Sequence, residues 1–281
     1  MRILVVGATG VLGRQVVPRL LERGHAVRAV VRRAEQGPAL VTAGAEAVQG
    51  DILDRDSLMA AAAGCQAAIH IATAIPRGPG GDWSRNDRIR REGTANLLAA
   101  AVSNGVRRYV QQSIVMLYGD TGSAIVDESA PLQPRTVIQS AVDMETLVRQ
   151  SALEWCILRG ALFYGAGAGL EDEWRQAARR GELIIPGDGS DRISLIHVVD
   201  MARAVIAAVE SAQRGSIYNV VDDEPPTYAG LYAYVAAQEG VAPPALGGPP
   251  TRQSFACSNA KIKRELGWQP AYPTYRSGLA G

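Results

Sequence analysis

Short, continuous apolar runs alternate with stretches of helical period along the first two-thirds of the chain. Residues 3–6 are apolar throughout, the pattern of a strand covered on both faces. Leu12, Val16, Val17, Leu20 and Leu21 then fall on one helical face, and Gly24 ends that helix. The same reading predicts strands over 26–31, 45–48, 67–71, 108–111 and 155–158. Between them it predicts helices over 57–63, 83–103 and 136–150, with Asn104-Gly105 closing the second. Strands alternating with crossover helices imply an α/β fold on a doubly wound parallel sheet.

After Arg159 the texture changes. Glycines at 165–169, a short helix near 173–180 and the turn Pro186-Gly187-Asp188-Gly189 break the alternation. A strand over 193–196, a helix over 198–209 and a strand over 217–220 restore it. Residues 222–281 hold most of the prolines and read as a smaller, loop-rich lobe. The expected division is therefore a dinucleotide-binding domain over 1–160, to which 191–221 returns, and a substrate lobe built from 161–190 and 222–281. In open sheets of this kind the ligand lies beyond the carboxyl ends of the strands. The loops after Val6, Ile71, Gln111 and Leu158 are thus expected to meet at one site.

Composition narrows the function classes. A formal net charge of +1 on 281 residues gives no reason to expect nucleic acid or an acidic membrane as partner. Cys65, Cys156 and Cys257 are odd in number and in no paired spacing, which argues against a disulfide framework or a zinc site. Residues 1–13 do not read as a signal peptide, and the apolar region 58–75 is broken by Gly64, Gln66 and His70. The expectation is a soluble, cytoplasmic protein with no metal. His25 and His70 read as isolated structural histidines, His197 and Asp200 as the opening of a helix, and Asp222, Asp223 and Glu224 as a solvated turn.

The first strand runs directly into Gly7-Ala8-Thr9-Gly10-Val11-Leu12-Gly13, inside which a helix begins. Gly7 permits a tight turn, Gly10 a close approach of backbone amides to a pyrophosphate, and Gly13 close packing of helix on strand. The helix N-terminus offers free N–H groups and the positive end of its dipole to phosphates. Lying between strand and helix, this turn predicts dinucleotide binding. At the end of the second strand, where an acid would hold both ribose hydroxyls of NAD, stand Arg32 and Arg33. A guanidinium clamps a 2′-phosphate, so NADP is favoured over NAD, with two solvated surface arginines as the alternative. Asp51 is placed either to hydrogen-bond the adenine amino group or to cap the next helix.

These pieces together resemble the extended short-chain dehydrogenase/reductase superfamily, in its NAD(P)-dependent epimerase/dehydratase branch. The likeness is carried by GATGVLG at 7–13, GDILD at 50–54, AAIHIAT at 67–73, EGTANLLAAA at 92–101 and RRYVQQSIVMLYGD at 107–120. It continues in ILRGALFYGAG at 157–167, LIHVVDMARAV at 195–205, YNVVDDEP at 218–225 and SNAKIKRELGWQP at 258–270. The resemblance implies a Rossmann-type domain, a small carboxyl-terminal substrate lobe and a homodimer formed through two long helices. It implies that Gly7, Thr9, Gly10, Val11, Leu12 and Gly13 line the pyrophosphate and that Arg32 and Arg33 meet the 2′-phosphate. Asp51 and Ile52 would hold the adenine, Ala72 and Thr73 the nicotinamide side, and Leu162 and Phe163 the carboxamide.

The chain departs from that family at its catalytic set, a Ser/Thr with Tyr-x-x-x-Lys on the helix after the fifth strand. There the lysine lowers the tyrosine pKa and holds the nicotinamide ribose, and the tyrosine moves a proton as hydride moves. Here Val137 stands in the Tyr slot, Ala141 in the Lys slot and Ile114 in the Ser/Thr slot, with Ser113 one residue early. None of the nine tyrosines is followed four residues later by lysine, because the only lysines are Lys261 and Lys263. Ser113, Tyr118 and Tyr164 remain as candidate catalytic residues, each also readable as a packed structural group. Three readings stay open: an atypical oxidoreductase or epimerase acting on a small carbonyl, hydroxyl or sugar-type substrate, a non-catalytic NADP(H)-binding redox sensor, and a structural subunit.

Overall fold

The computed structural model describes residues 1–76, 81–165, 167–249 and 254–280. Its elements run β1 (Arg2–Val6), α1 (Gly13–Glu22), β2 (Ala26–Val31), α2 (Gly37–Thr42), β3 (Glu46–Gln49), α3 (Arg55–Ala62) and β4 (Ala67–His70). There follow α4 (Ser84–Arg88), a π-helical turn (Ile89–Gly93), α5 (Thr94–Ser103), β5 (Arg108–Ile114), β6 (Ile125–Val126), α6 (Gln139–Gln150) and β7 (Glu154–Gly160). The remainder comprises β8 (Leu162–Tyr164), α7 (Leu170–Arg179), β9 (Ile185–Pro186), β10 (Leu195–His197), α8 (Val198–Ser211) and β11 (Ser216–Val220). Last come α9 (Tyr228–Gln238), β12 (Leu246–Gly248), β13 (Ala256–Cys257), α10 (Ala260–Leu266) and α11 (Tyr275–Leu279).

Seven strands form one parallel sheet in the order β11-β7-β5-β4-β1-β2-β3. The continuous apolar runs explain it: Ile3, Leu4, Val5, Ala67, Ala68 and Ile69 are all fully buried, as central strands between helical layers require. The chain builds outward from β1 through β2 to β3, then crosses back to β4 and builds the other way. Strand order therefore reverses between β1 and β4, which pair in register from Ile3↔Ala67 to Val6↔His70. The loops after Val6 and His70 flank that reversal, the place where such sheets hold ligands.

The chain divides into two compact units. The first comprises Met1–Ser113, Arg135–Leu158 and Ala202–Ile217; the second comprises Ile114–Pro134, Arg159–Met201 and Tyr218–Gly281. Within the second unit, β10 pairs with β8 in a separate two-stranded sheet, one residue or two beyond the strand expected at 193–196. The region read as loop-rich after 222 also carries an eleven-residue helix, α9, capped where Thr227 accepts from the Gly230 amide at 3.1 Å. The turn expected to be solvated at 222–224 is only partly so: Asp222 is buried, while Asp223 pairs with Lys263 and Glu224 with Arg276 at the surface. No helix among the described residues is long and apolar enough to cross a membrane.

Candidate cofactor and active site

The glycine turn shows why its residues are glycines. Gly7 has φ +102°, and a Cβ there would lie 2.6 Å from the Ala72 amide nitrogen, at the end of β4. A Cβ on Gly13 would lie 2.2 Å from the Gly7 carbonyl oxygen. Both glycines thus let α1 and the β4 loop close on the turn. Gly10 donates to Gly7 O at 3.1 Å and accepts from Arg14 at 3.0 Å, fixing the loop. The helix has no side-chain cap, since Leu12 stands at that position. The amides of Val11, Leu12 and Gly13 have no acceptor among the described residues. Three adjacent free N–H groups at the start of a ten-residue helix are a cradle for an anion.

The remaining predicted residues of the first unit follow β2, β3 and β4, parallel neighbours of β1 in the sheet. Arg32 and Arg33 follow β2, both exposed; Arg33 pairs with Glu35 at 3.1 Å, and Arg32 has no partner among the described residues. An ion pair so exposed is weak and readily exchanged for a phosphate. The cap of α3 is Asp54, which accepts from the Asp56 and Ser57 amides, and not Asp51, for which that role was an alternative. Asp51 instead accepts from the Leu53 amide at 2.9 Å. Ile52 is buried against the π-helical turn, where a Cβ on Gly93 would come within 2.9 Å of it. Ala72 is half-buried and Thr73 exposed.

His70 precedes them at the end of β4. Its Nδ1 accepts from the Ala72 amide at 3.3 Å, and complete burial pushes its pKa down to about 4, so the ring is neutral. Ser113 ends the first unit's share of β5. It is buried and donates to Glu145 Oε1 on α6 at 2.6 Å. No sequence motif marks a second network, in which partly buried Asp87 on α4 is joined to buried Arg90 on the π-helical turn through buried Ser140 on α6. Val137 is exposed and Ala141 fully buried, so neither offers a polar group to the site.

In the second unit, Tyr118 donates to Asn219 Oδ1 and accepts from Arg159 Nη1, each at 2.8 Å. Burial pushes its pKa up to about 12, partly offset by Arg159. Tyr164 donates to Asp222 Oδ2 at 2.8 Å and lies edge-on to His197. Burial, then the neighbouring charge of Asp222, drives the Tyr164 pKa upward, and burial likewise raises that of Asp222. Leu162 and Phe163 are half-buried in β8, in register with Leu195 and Ile196. Asp200, expected simply to open a helix, is fully buried and accepts from the Ala271 and Tyr272 amides at 2.8 Å.

The description of the NAD dependent epimerase/dehydratase family matches residues 3–221. The chain belongs to that family. Among its similar proteins is the 3-diazoavenalumate denitrifying reductase of a Streptomyces species, 35% identical over 306 aligned residues that cover 99% of each chain. The solved dTDP-glucose 4,6-dehydratase DesIV of Streptomyces venezuelae, with NAD bound, superposes with a TM-score of 0.85 at 25% identity, covering 100% of this chain and 95% of that one. A short-chain dehydrogenase/reductase from Agrobacterium tumefaciens, also with bound NAD, gives 0.82 at 27% identity over 100% and 95%. The matched span includes the glycine turn at 7–13, and no lysine precedes Lys261.

Proposed function

We propose that this protein is an NADPH-dependent reductase whose acceptor takes a hydride without needing a proton, a ring diazo compound releasing dinitrogen being the class favoured. One observation carries the reading: the chain keeps three free amides at the phosphate cradle yet has no lysine before residue 261. Similarity to a denitrifying reductase along the full length supplies the acceptor class.

The cradle fits a dinucleotide. Val11, Leu12 and Gly13 would hold the pyrophosphate through their amides, Arg32 and Arg33 the 2′-phosphate, Asp51 and Ile52 the adenine, and Ala72 and Thr73 the nicotinamide side. When bound, the reduced nicotinamide supplies a hydride. For a diazo carbon conjugated with a ring oxygen, hydride delivery would form a C–H bond as the C–N bond breaks. The C–N electron pair leaves on dinitrogen, and the ring gains one negative charge, which rests on its oxygen. Atoms and electrons balance with no proton taken up, so the missing relay is no loss. A simple ketone would end as an alkoxide that must be protonated. In this reading Ser113, Tyr118 and Tyr164, already engaged with Glu145, Asn219 and Asp222, serve as fixed hydrogen-bonding groups.

With a quinone diazide as probe, NADPH oxidation should depend on the diazo compound and release dinitrogen mole for mole. Oxidation driven by ketones or sugar nucleotides and not by the diazide overturns the reading. Arg32→Ala combined with Arg33→Ala should weaken NADPH about ten- to a hundredfold and NADH little, a loss of about 1.5–3 kcal/mol. Equal weakening of both cofactors contradicts the NADP assignment. The proposal extends to a homodimer through α5 and α6. A shallow groove lined by Leu98, Val102, Leu147 and Gln150 runs along these helices, and Val102 is half exposed. Ile89 is covered within its own chain and is not part of that surface.

A further inference from the structure

We propose that Arg90 is the catalytic cation of this site, its guanidinium facing the substrate oxygen on which the negative charge delivered with the hydride comes to rest. The inference deepens the reductase reading and rests on it. Arg90 lies on the π-helical turn that separates α4 from α5, in the first unit, which also carries the glycine cradle. π-Helical turns are rare and concentrate at functional sites. The residue is only 5% exposed, although a guanidinium is costly to bury without a charged or well-bonded partner.

Its surroundings leave it incompletely matched. Nη1 donates to Ser140 Oγ at 3.2 Å, and Ser140 Oγ donates onward to Asp87 Oδ1 at 2.6 Å. Asp87 therefore balances the charge through an intervening hydroxyl. The other guanidinium N–H groups have no partner among the described residues. Ser140 immediately precedes Ala141, the position that the family likeness gives to the lysine this chain lacks. A cation thus reaches that part of the fold from a different helix, fixed by a serine and with donors to spare. Arginine does not release a proton in proteins, so it contributes charge and hydrogen bonds and no proton transfer. Reduction of a quinone diazide needs that combination, because its product is a phenolate and stabilising the developing oxyanion lowers the barrier. A guanidinium that only bolted α4 to α6 would leave bound oxyanions unaffected.

4-Nitrophenol serves as the probe, because its phenolate and phenol absorb differently. Bound to wild-type protein saturated with NADP, the probe should be enriched in phenolate by about tenfold or more over free solution at the same pH. Arg90→Met should lose that enrichment while keeping the melting temperature and NADPH affinity of a folded protein. Arg90→Lys should keep part of it, and Ser140→Ala, which frees the guanidinium without removing it, should reduce it severalfold. Failure of the wild type to bind the probe, binding as the neutral phenol, or an Arg90→Met spectrum equal to wild type each overturns the assignment. If Arg90→Met does not fold, equal spectra for wild type and Ser140→Ala do the same. Phenolate enrichment without diazide turnover would sink the reductase reading and leave Arg90 in place; turnover without enrichment would do the reverse.

Discussion

Gly13→Val should abolish detectable binding of either pyridine nucleotide, an affinity loss of at least about a hundredfold, and should destabilise the fold by about 3 kcal/mol or more. The cause is local. A Cβ at Gly13 would sit 2.2 Å from the Gly7 carbonyl oxygen, 2.4 Å from the Ala8 carbonyl oxygen and 2.5 Å from the Ala8 carbonyl carbon. Those are backbone atoms, so the cradle itself must open, and the amides of Val11, Leu12 and Gly13 lose their common aim. Gly24→Ala is the matched control. Its φ of +77° carries strain, but nothing lies within 4 Å of the added methyl. It should cost about 1–2 kcal/mol and leave nucleotide affinity unchanged. Calorimetric titration with NADPH and thermal melts of both variants check this; retained affinity in Gly13→Val would contradict the role given to the turn.

Acid should destabilise the protein through His70. Burial lowers its pKa from 6.5 to about 4, so between these values the unfolded chain binds more protons than the folded one. Stability from this group is fully present above pH 6.5 and is lost as pH falls toward 4. The total is about 3 kcal/mol, from about 1.36 kcal/mol for each factor of ten in the proton equilibrium. Protonation would also strike Nδ1, the acceptor of the Ala72 amide that packs against Gly7 of the glycine turn. Denaturant midpoints of wild type should therefore fall between pH 6.5 and 4 more steeply than those of His70→Asn, whose side-chain oxygen can accept the same amide. Parallel curves would contradict the assignment.

The elements read most clearly were those whose signal is local. Uninterrupted apolar runs gave β1 and β4, which are buried on both faces, and β2 coincides with the expected 26–31. The cradle was legible because each glycine answers a local backbone need. The helix expected over 83–103 contains a π-helical turn that no apolar period announces, and the turn sits where Gly93 meets Ile52 from another part of the chain. α9 was missed although Thr227 and Gly240 bracket it, because prolines at 225–226 and 243–244 dominate the surrounding window. The Asp87–Ser140–Arg90 network joins residues about fifty positions apart, and a lone arginine in a charged helix carries no sign of burial. The hydroxyls of Ser113, Tyr118 and Tyr164 were visible as residue types, whereas their partners Glu145, Asn219 and Asp222 are set by tertiary contact alone.

Transfer of deuterium from NADPH labelled at the nicotinamide C4 position, run in ordinary water and repeated with unlabelled cofactor in heavy water, tests the absence of a proton relay most directly. The account predicts label from the cofactor at the ring carbon that carried the diazo group, none there from solvent, and the same rate in both waters. Solvent deuterium at that carbon, or a rate slowed in heavy water, would contradict it.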